Sequence, residues 1–351
     1  MNAYKGEGLM KEAYLYEKLE GGKVRCSLCN HRCVIKEGAK GICGVRENRD
    51  GVLMTLVYGK IIAGHVDPIE KKPLFHFLPG SRSYSIATVG CNFRCRFCQN
   101  SDISQMPADY NRIMGDDMTP EQIVEEAKAS RSSTIAYTYT EPTIYYELAR
   151  DTARLAASHR IRNVFVSNGY MTEECLQDIG STLHAVNVDL KAFTNSFYKE
   201  QCGARLEPVL KSIGKMVETG VWVEVTTLLI PGLNDSEKEL REIASFLAGQ
   251  DPNIPWHISR FHPTYRLTDR DTTPANSIQR AREIGYEAGL RYVYTGNLPG
   301  DEGEKTFCHG CHALLVDRFG FSVRKNAIRD GKCPQCGTEI PGVWSLDTVF
   351  S

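Results

Sequence analysis

Three cysteines within eight residues, Cys91, Cys95 and Cys98, follow the spacing C-x3-C-x2-C directly after the apolar run from Ser83 to Val89. Thiols so spaced can wrap three corners of one cubane iron–sulfur cluster, leaving the fourth iron open to a substrate. Zinc is the competing reading of a C-x2-C half, but a structural zinc takes four protein ligands and this loop supplies three. A second group, Cys26, Cys29, Cys33 and Cys43, lies among Gly38, Gly41 and Gly44, which permit tight turns around a ligand. Four thiolates there suit zinc or iron alike. A metal-free lobe is the alternative, yet so short a segment has little core of its own, which favours a metal staple. His31, among these thiols, reads as a solvated loop residue. A third group, Cys308, Cys311, Cys333 and Cys336, forms two C-x2-C knuckles of the zinc-ribbon or rubredoxin-like kind. Zinc is favoured over iron there as the commoner structural metal, and His309 and His312 read as bystanders.

These groups take eleven of the thirteen cysteines, and Cys175 and Cys202 read as ordinary thiols. Tight Cys spacing without a secretory signal argues for metal, not disulfides. The segment MNAYKGEGLMKEAYLYEKLEGG lacks a signal peptide's apolar core, and no apolar run approaches the roughly 18 residues of a membrane span. The chain is expected to be cytoplasmic, without a membrane partner. With 42 Lys+Arg against 43 Asp+Glu the net charge is −1, which offers no nucleic-acid partner an electrostatic footprint. The set Arg318, Arg324, Lys325, Arg329 and Lys332 reads as a solvated face.

The elements that must position the thiols follow from periodicity. Strand-like runs cover residues 83–89, 133–139, 163–168, 184–190, 221–230, 255–261 and 290–296. Helical patterns fill the gaps, one starting at Thr119 and others in SEKELREIASFLAG and ANSIQRAREIGYEAG. Repeated β–α units predict an α/β fold, a parallel sheet partly or fully closed into a TIM-like barrel, with small Cys-rich lobes at both termini. The expected domains are an N-terminal lobe with a lead-in hairpin (1–82), the barrel (83–300) and a C-terminal ribbon (301–351). Val52 to Asp67 reads as two strands about Gly59, and the proline-broken loop 67–80 as lying near the barrel mouth, with Lys71, Lys72 and His76 as solvated charges. The tail PGVWSLDTVFS is expected to pack Trp344. Barrel enzymes keep their sites at the C-terminal strand ends. There the sequence places the cysteine loop, Tyr139-Thr140-Glu141-Pro142, Ser167-Asn168-Gly169, Asp189-Leu190-Lys191 and Phe261-His262-Pro263.

C-x3-C-x2-C with an aromatic before the last cysteine resembles the signature of radical S-adenosylmethionine (SAM) enzymes, and the strand-end motifs resemble those of glycyl-radical-enzyme activating enzymes such as the pyruvate formate-lyase activator. The N-terminal cysteines, DPIEKKPLFHFLPG, GCNFRCRFCQN, AYTYTEPT and VDLKAF together look like the radical SAM enzymes of the AmmeMemoRadiSam system. The resemblance implies that Cys91, Cys95 and Cys98 ligate a 4Fe-4S cluster whose open iron chelates SAM. Reductive cleavage then gives a 5'-deoxyadenosyl radical that abstracts hydrogen from a protein or small-molecule substrate. Tyr139, Thr140 and Glu141 stand where the family has Gly-Gly-Glu; that Glu holds the SAM amino group. Ser167, Asn168, Asp189, Lys191 and His262 are the implied further SAM contacts, with Phe97 against adenine. A flavodoxin or ferredoxin is the implied electron donor, and Ammecr-type and Memo-type proteins are implied partners. The competing reading is a non-catalytic iron–sulfur or zinc scaffold or redox relay, which has no need of the strand-end motifs.

Overall fold

The computed structural model describes residues 10–347, so part of the N-terminal segment and the last four residues of the tail lie outside the described residues. The chain forms two compact units. The first comprises residues up to Val66 with Ser83–Arg94 and Cys98–Leu183, and the second comprises Asp67–Arg82, Cys95–Phe97 and the chain from His184 onward.

The α/β architecture expected from the sequence is the observed one. In the first unit the strands are β1 (Ala63–Pro68), β2 (Arg82–Ala87), β3 (Thr134–Tyr137) and β4 (Arg162–Ser167), adjacent in that order. β3 pairs in parallel with both β2 and β4. Its four residues are all buried, the continuous apolar run of a strand covered on both faces. Helices α1 (Pro120–Ala129) and α2 (Tyr146–Ser158) make the crossovers around it. Thr119 and Gln122 close a capping box at the start of α1, as the Thr-Pro-Glu-Gln sequence predicts. Antiparallel strands at Arg46–Arg49 and Val52–Thr55 build the N-terminal lobe, and Gly59 sits in a left-handed turn at φ +74 before the short strand Lys60–Ile61.

In the second unit β5 (Ala185–Asp189), β6 (Trp222–Leu229), β7 (Trp256–Arg260) and β8 (Val293–Gly296) pair in parallel in chain order. Helices α3 (Leu206–Glu218), α4 (Glu237–Gln250) and α5 (Ala275–Glu287) join them. The C-terminal ribbon strands Thr306–Phe307, Leu314–Phe319 and Ser322–Asn326 pair antiparallel. Their core includes Tyr292, Tyr294, Leu315, Val316 and Ile340, with Trp344 packed against it. Among the described residues no helix is long and apolar enough to cross a membrane.

One sequence expectation is corrected here. The loop 67–80 does not hold solvated charges at Lys72 and His76, because it folds inward. Lys72 is 1% exposed and its Nζ lies 2.7 Å from Asp67. Burial lowers the Lys72 ammonium pKa to about 8, against the Asp67 pairing. His76 is fully buried, bonded through Nδ1 to the Pro341 carbonyl at 2.7 Å and through Nε2 to the Tyr294 hydroxyl at 2.6 Å. Glu224 accepts the Phe75 and His76 amides at 2.9 and 2.8 Å, and Arg318 donates to the Phe75 carbonyl at 2.7 Å. β1 ends at Pro68 and a single 3-10 turn, Ile69–Lys71, follows; beyond it side chains take over the loop's polar groups.

Candidate active site and metal centres

In the first unit the end of β3 and the end of β4 meet through one carboxylate. Glu141, 1% exposed, accepts on Oε1 from the Thr143 amide at 3.0 Å, from the Thr143 hydroxyl and from the Ser167 hydroxyl at 2.8 Å. Its Oε2 accepts the Asn168 amide at 2.8 Å. Burial pushes the Glu141 pKa up, and these donors oppose the shift. Oε2 retains capacity for a further donor. Asn168 carries the connection onward, its Nδ2 donating to Asn92 Oδ1 at 2.7 Å and lying 3.9 Å from the Cys91 thiol. The Phe93 amide points at the same sulfur at 3.3 Å. Two strand ends therefore reach the first cysteine of the motif through a continuous hydrogen-bonded chain.

Other motif residues of this unit serve the backbone. Cys98 lies 3.2 Å from the Ser104 hydroxyl. Thr140 donates to the Thr88 carbonyl at 2.9 Å, and the Tyr139 carbonyl accepts from Asn100 at 2.8 Å. Tyr139 has φ +61, the left-handed conformation that favours glycine, so the chain keeps a glycine-like backbone where the resembled family has one.

The second unit groups Cys95, Phe97, Asp189 and Lys191. Lys191 Nζ lies 3.0 Å from Asp189 Oδ2 and 5.8 Å from the Phe97 ring centre, in cation–π range. The Asp-Lys pair thus exists as an ion pair, held at the end of β5 where Thr227 and Asn234 fix the backbone carbonyls of Leu190 and Lys191. His262 stands apart from this group in its contacts. It is exposed, its Nδ1 3.3 Å from the Thr272 hydroxyl. Sequence reasoning missed Cys202, which is fully buried and hydrogen-bonded to Cys95. That bond, with the Lys191 charge adding to it, holds the Cys95 thiol below its ordinary pKa despite burial. No local motif marks Cys202, whose position follows from the π-helical turn Tyr198–Cys202.

The two terminal thiol groups differ in geometry. Among the described residues Cys308, Cys311, Cys333 and Cys336 are the one group of three or more metal-ligating side chains whose ligand atoms all lie within 4.8 Å of one another. Cys308 and Cys336 are 3.6 Å apart and Cys311 and Cys333 3.7 Å, close to the edge of a tetrahedron drawn with about 2.3 Å metal–sulfur bonds. Cys26, Cys29, Cys33 and Cys43 instead line one shared cavity. His31 borders it too and is no solvated residue, since its Nε2 bonds the Asn92 carbonyl at 2.8 Å and its ring packs 4.8 Å from Tyr170. The Cys26–Cys33 loop is docked through Asn30, which donates to the Met171 carbonyl at 2.7 Å, and by Thr172, which donates to the Ser27 carbonyl at 2.7 Å.

Residues 85–247 match the Radical SAM superfamily. An uncharacterized protein of Methanocaldococcus jannaschii, MJ0808, is 46% identical over 94% of this chain and 99% of its own length. MJ1632 of the same organism, whose name proposes a glycyl-radical enzyme activating enzyme, is 25% identical over 61% of this chain and 79% of its own length. Streptococcus suis SuiB bound to S-adenosylmethionine shares the fold with a TM-score of 0.50 at 14% identity, over 69% of this chain and 56% of that one. The chain belongs to one family with MJ0808, and its residues 85–247 are a domain of the radical SAM superfamily, whose members are enzymes that cleave S-adenosylmethionine with an iron–sulfur cluster.

Proposed function

We propose that Cys91, Cys95 and Cys98 hold a 4Fe-4S cluster with one open iron, and that the protein uses it to abstract hydrogen from a substrate. The observation that carries this reading is the chain Glu141–Asn168–Asn92–Cys91, which ties the motifs at two strand ends to a cluster thiol. Cys91, faced by the Phe93 amide and the Asn168 side-chain amide, fits a cluster ligand, since such donors stabilise thiolates. When bound and reduced, the cluster supplies the electron that splits SAM into methionine and a 5'-deoxyadenosyl radical.

The protein's own residues bind and orient. Glu141 offers its remaining acceptor site to the SAM amino group and fixes Ser167 and Asn168 beneath it. Tyr139 and Thr140 present backbone at the same strand end. Lys191, steadied by Asp189, donates to the SAM carboxylate or ribose oxygens, His262 donates to the carboxylate, and Phe97 packs on adenine. None of them needs to move a proton, because cluster and SAM carry the difficult step.

We read the C-terminal four-cysteine group as a one-ion zinc or iron site, a reading supported by its sulfur spacing. The substrate class stays with two candidates: a glycine of a protein, supported by the likeness to MJ1632, or a small molecule acted on together with Ammecr-type and Memo-type partners. A flavodoxin or ferredoxin supplies electrons in the cytoplasm. Anaerobically reconstituted, reduced protein given SAM is expected to form 5'-deoxyadenosine, and Cys95→Ala to form none. Equal product from both proteins would reject the cluster assignment.

A further inference from the structure

The N-terminal thiols line one cavity without touching one another. No hydrogen bond joins any two of Cys26, Cys29, Cys33 and Cys43, whereas the C-terminal thiols pair at 3.6 and 3.7 Å with no ion present. A tetrahedral ion would require sulfurs about 3.8 Å apart. The thiols on the four corners of a cubane cluster stand on the order of 6 Å apart.

A second observation is independent of the sulfur spacing. One buried donor on the cavity wall makes no hydrogen bond: Arg46 Nε, on a side chain 2% exposed, while the Asn92 side chain, 1% exposed, already faces the Cys29 thiol. The rest of the Arg46 guanidinium is committed to Glu147, at 2.8 and 2.9 Å, so the group is locked in place with Nε left over. Asn92 likewise spends its Oδ1 on Asn168. A buried N–H left unpaired is costly, so Arg46 Nε on an apolar-walled cavity calls for an acceptor inside it. Bridging sulfides and thiolates are acceptors of that kind, and hydrogen bonds to them tune cluster potential.

We propose that Cys26, Cys29, Cys33 and Cys43 together ligate a second 4Fe-4S cluster, closed to substrate because every iron has a thiolate, with Arg46 and Asn92 donating to its sulfurs. The cluster adjoins the cysteine motif. A Cβ on Gly90, whose φ is +103, would stand 3.2 Å from the Cys43 carbonyl oxygen and 2.8 Å from Val45 Cγ1, so the residue before Cys91 packs directly on the loop that carries Cys43. Asn92, the residue after Cys91, borders the cavity itself.

The test uses the anaerobically isolated full chain, with iron, sulfide and zinc measured per polypeptide. Cys91→Ser/Cys95→Ser/Cys98→Ser is expected to keep about four iron and four sulfide, with a reduced-state EPR signal that SAM does not alter. Retention of zinc or no metal in place of that iron would overturn the proposal. Should that variant not fold, Cys29→Ser/Cys33→Ser decides: inorganic sulfide falling from about eight to about four, with about four iron lost beside it, supports the proposal, and unchanged sulfide and iron overturn it. One further readout rests on the function proposed above: two reduced clusters this close broaden each other's EPR lines, and each variant narrows the signal that remains. If the motif cluster were absent, the wild type would hold about four irons, lost in Cys29→Ser/Cys33→Ser and kept in the triple variant, which separates failure of that reading from failure of this one.

Discussion

At the scale of single residues, Glu141 and Tyr139 show how the strand ends are made. Glu141 gathers four donors from two segments, so Glu141→Gln turns one acceptor oxygen into an amide NH2 that faces an N–H or O–H donor. The expected result is a loss of about 1–3 kcal/mol of stability and at least a tenfold weaker SAM affinity, read by chemical denaturation and equilibrium binding. Tyr139 holds a backbone conformation that glycine takes without strain. Tyr139→Gly should therefore leave stability within about 1 kcal/mol of wild type, while Tyr139→Val, β-branched at positive φ, should lose roughly 1–3 kcal/mol. Equal losses from the two variants would contradict the assignment of strain. The sequence made the identity of these residues legible, because Glu-Pro after an apolar run is a local signal. It did not reveal that Glu141 is spent largely on Thr143, Ser167 and Asn168, since those contacts depend on where β3 and β4 end.

At the scale of elements, alternation of apolar runs and helical patterns was enough to find every strand from β2 to β8, because buried parallel strands read as continuous apolar runs. The loop 67–80 was not legible in the same way. Its prolines and charges look solvated, and only the position of Glu224 on β6 and Arg318 on the ribbon makes it a buried plug. That burial has a pH consequence. The buried, neutral His76 has its pKa lowered to about 4, chiefly by desolvation, from the ordinary 6.5. Below pH 6.5 the unfolded chain takes up a proton that the folded chain refuses until about pH 4, so stability falls as pH drops through that window. The loss amounts to about 3 kcal/mol at most. Urea unfolding between pH 5 and pH 7.5 should show a shallower slope for His76→Gln than for wild type, and parallel slopes would reject the assignment.

At the scale of the whole molecule, thirteen cysteines sort into roles by their surroundings. Spacing marked out the ribbon thiols, which the fold gathers, and the N-terminal four, which line one cavity, yet it could not distinguish the close contacts of the first set from the looser arrangement of the second. The ribbon core packs Cys308 and Cys333 with Tyr292, Tyr294 and Val316, so a metal there is coupled to folding of that segment. Removing it with a strong chelator, or by Cys333→Ser, should release about one metal per chain and expose the ribbon to proteolysis, as followed by mass spectrometry of the digest. Release of metal with no change in protease sensitivity would show that the metal does not hold the ribbon. The central claim concerns the cysteine motif and its open iron. The most direct measurement is electron–nuclear double resonance of the reduced protein with SAM labelled with nitrogen-15 at the amino group, taken in the Cys29→Ser/Cys33→Ser background so that one cluster is observed. Direct iron–nitrogen coupling is the predicted result, and a reduced four-iron signal with no coupling at saturating SAM would contradict it.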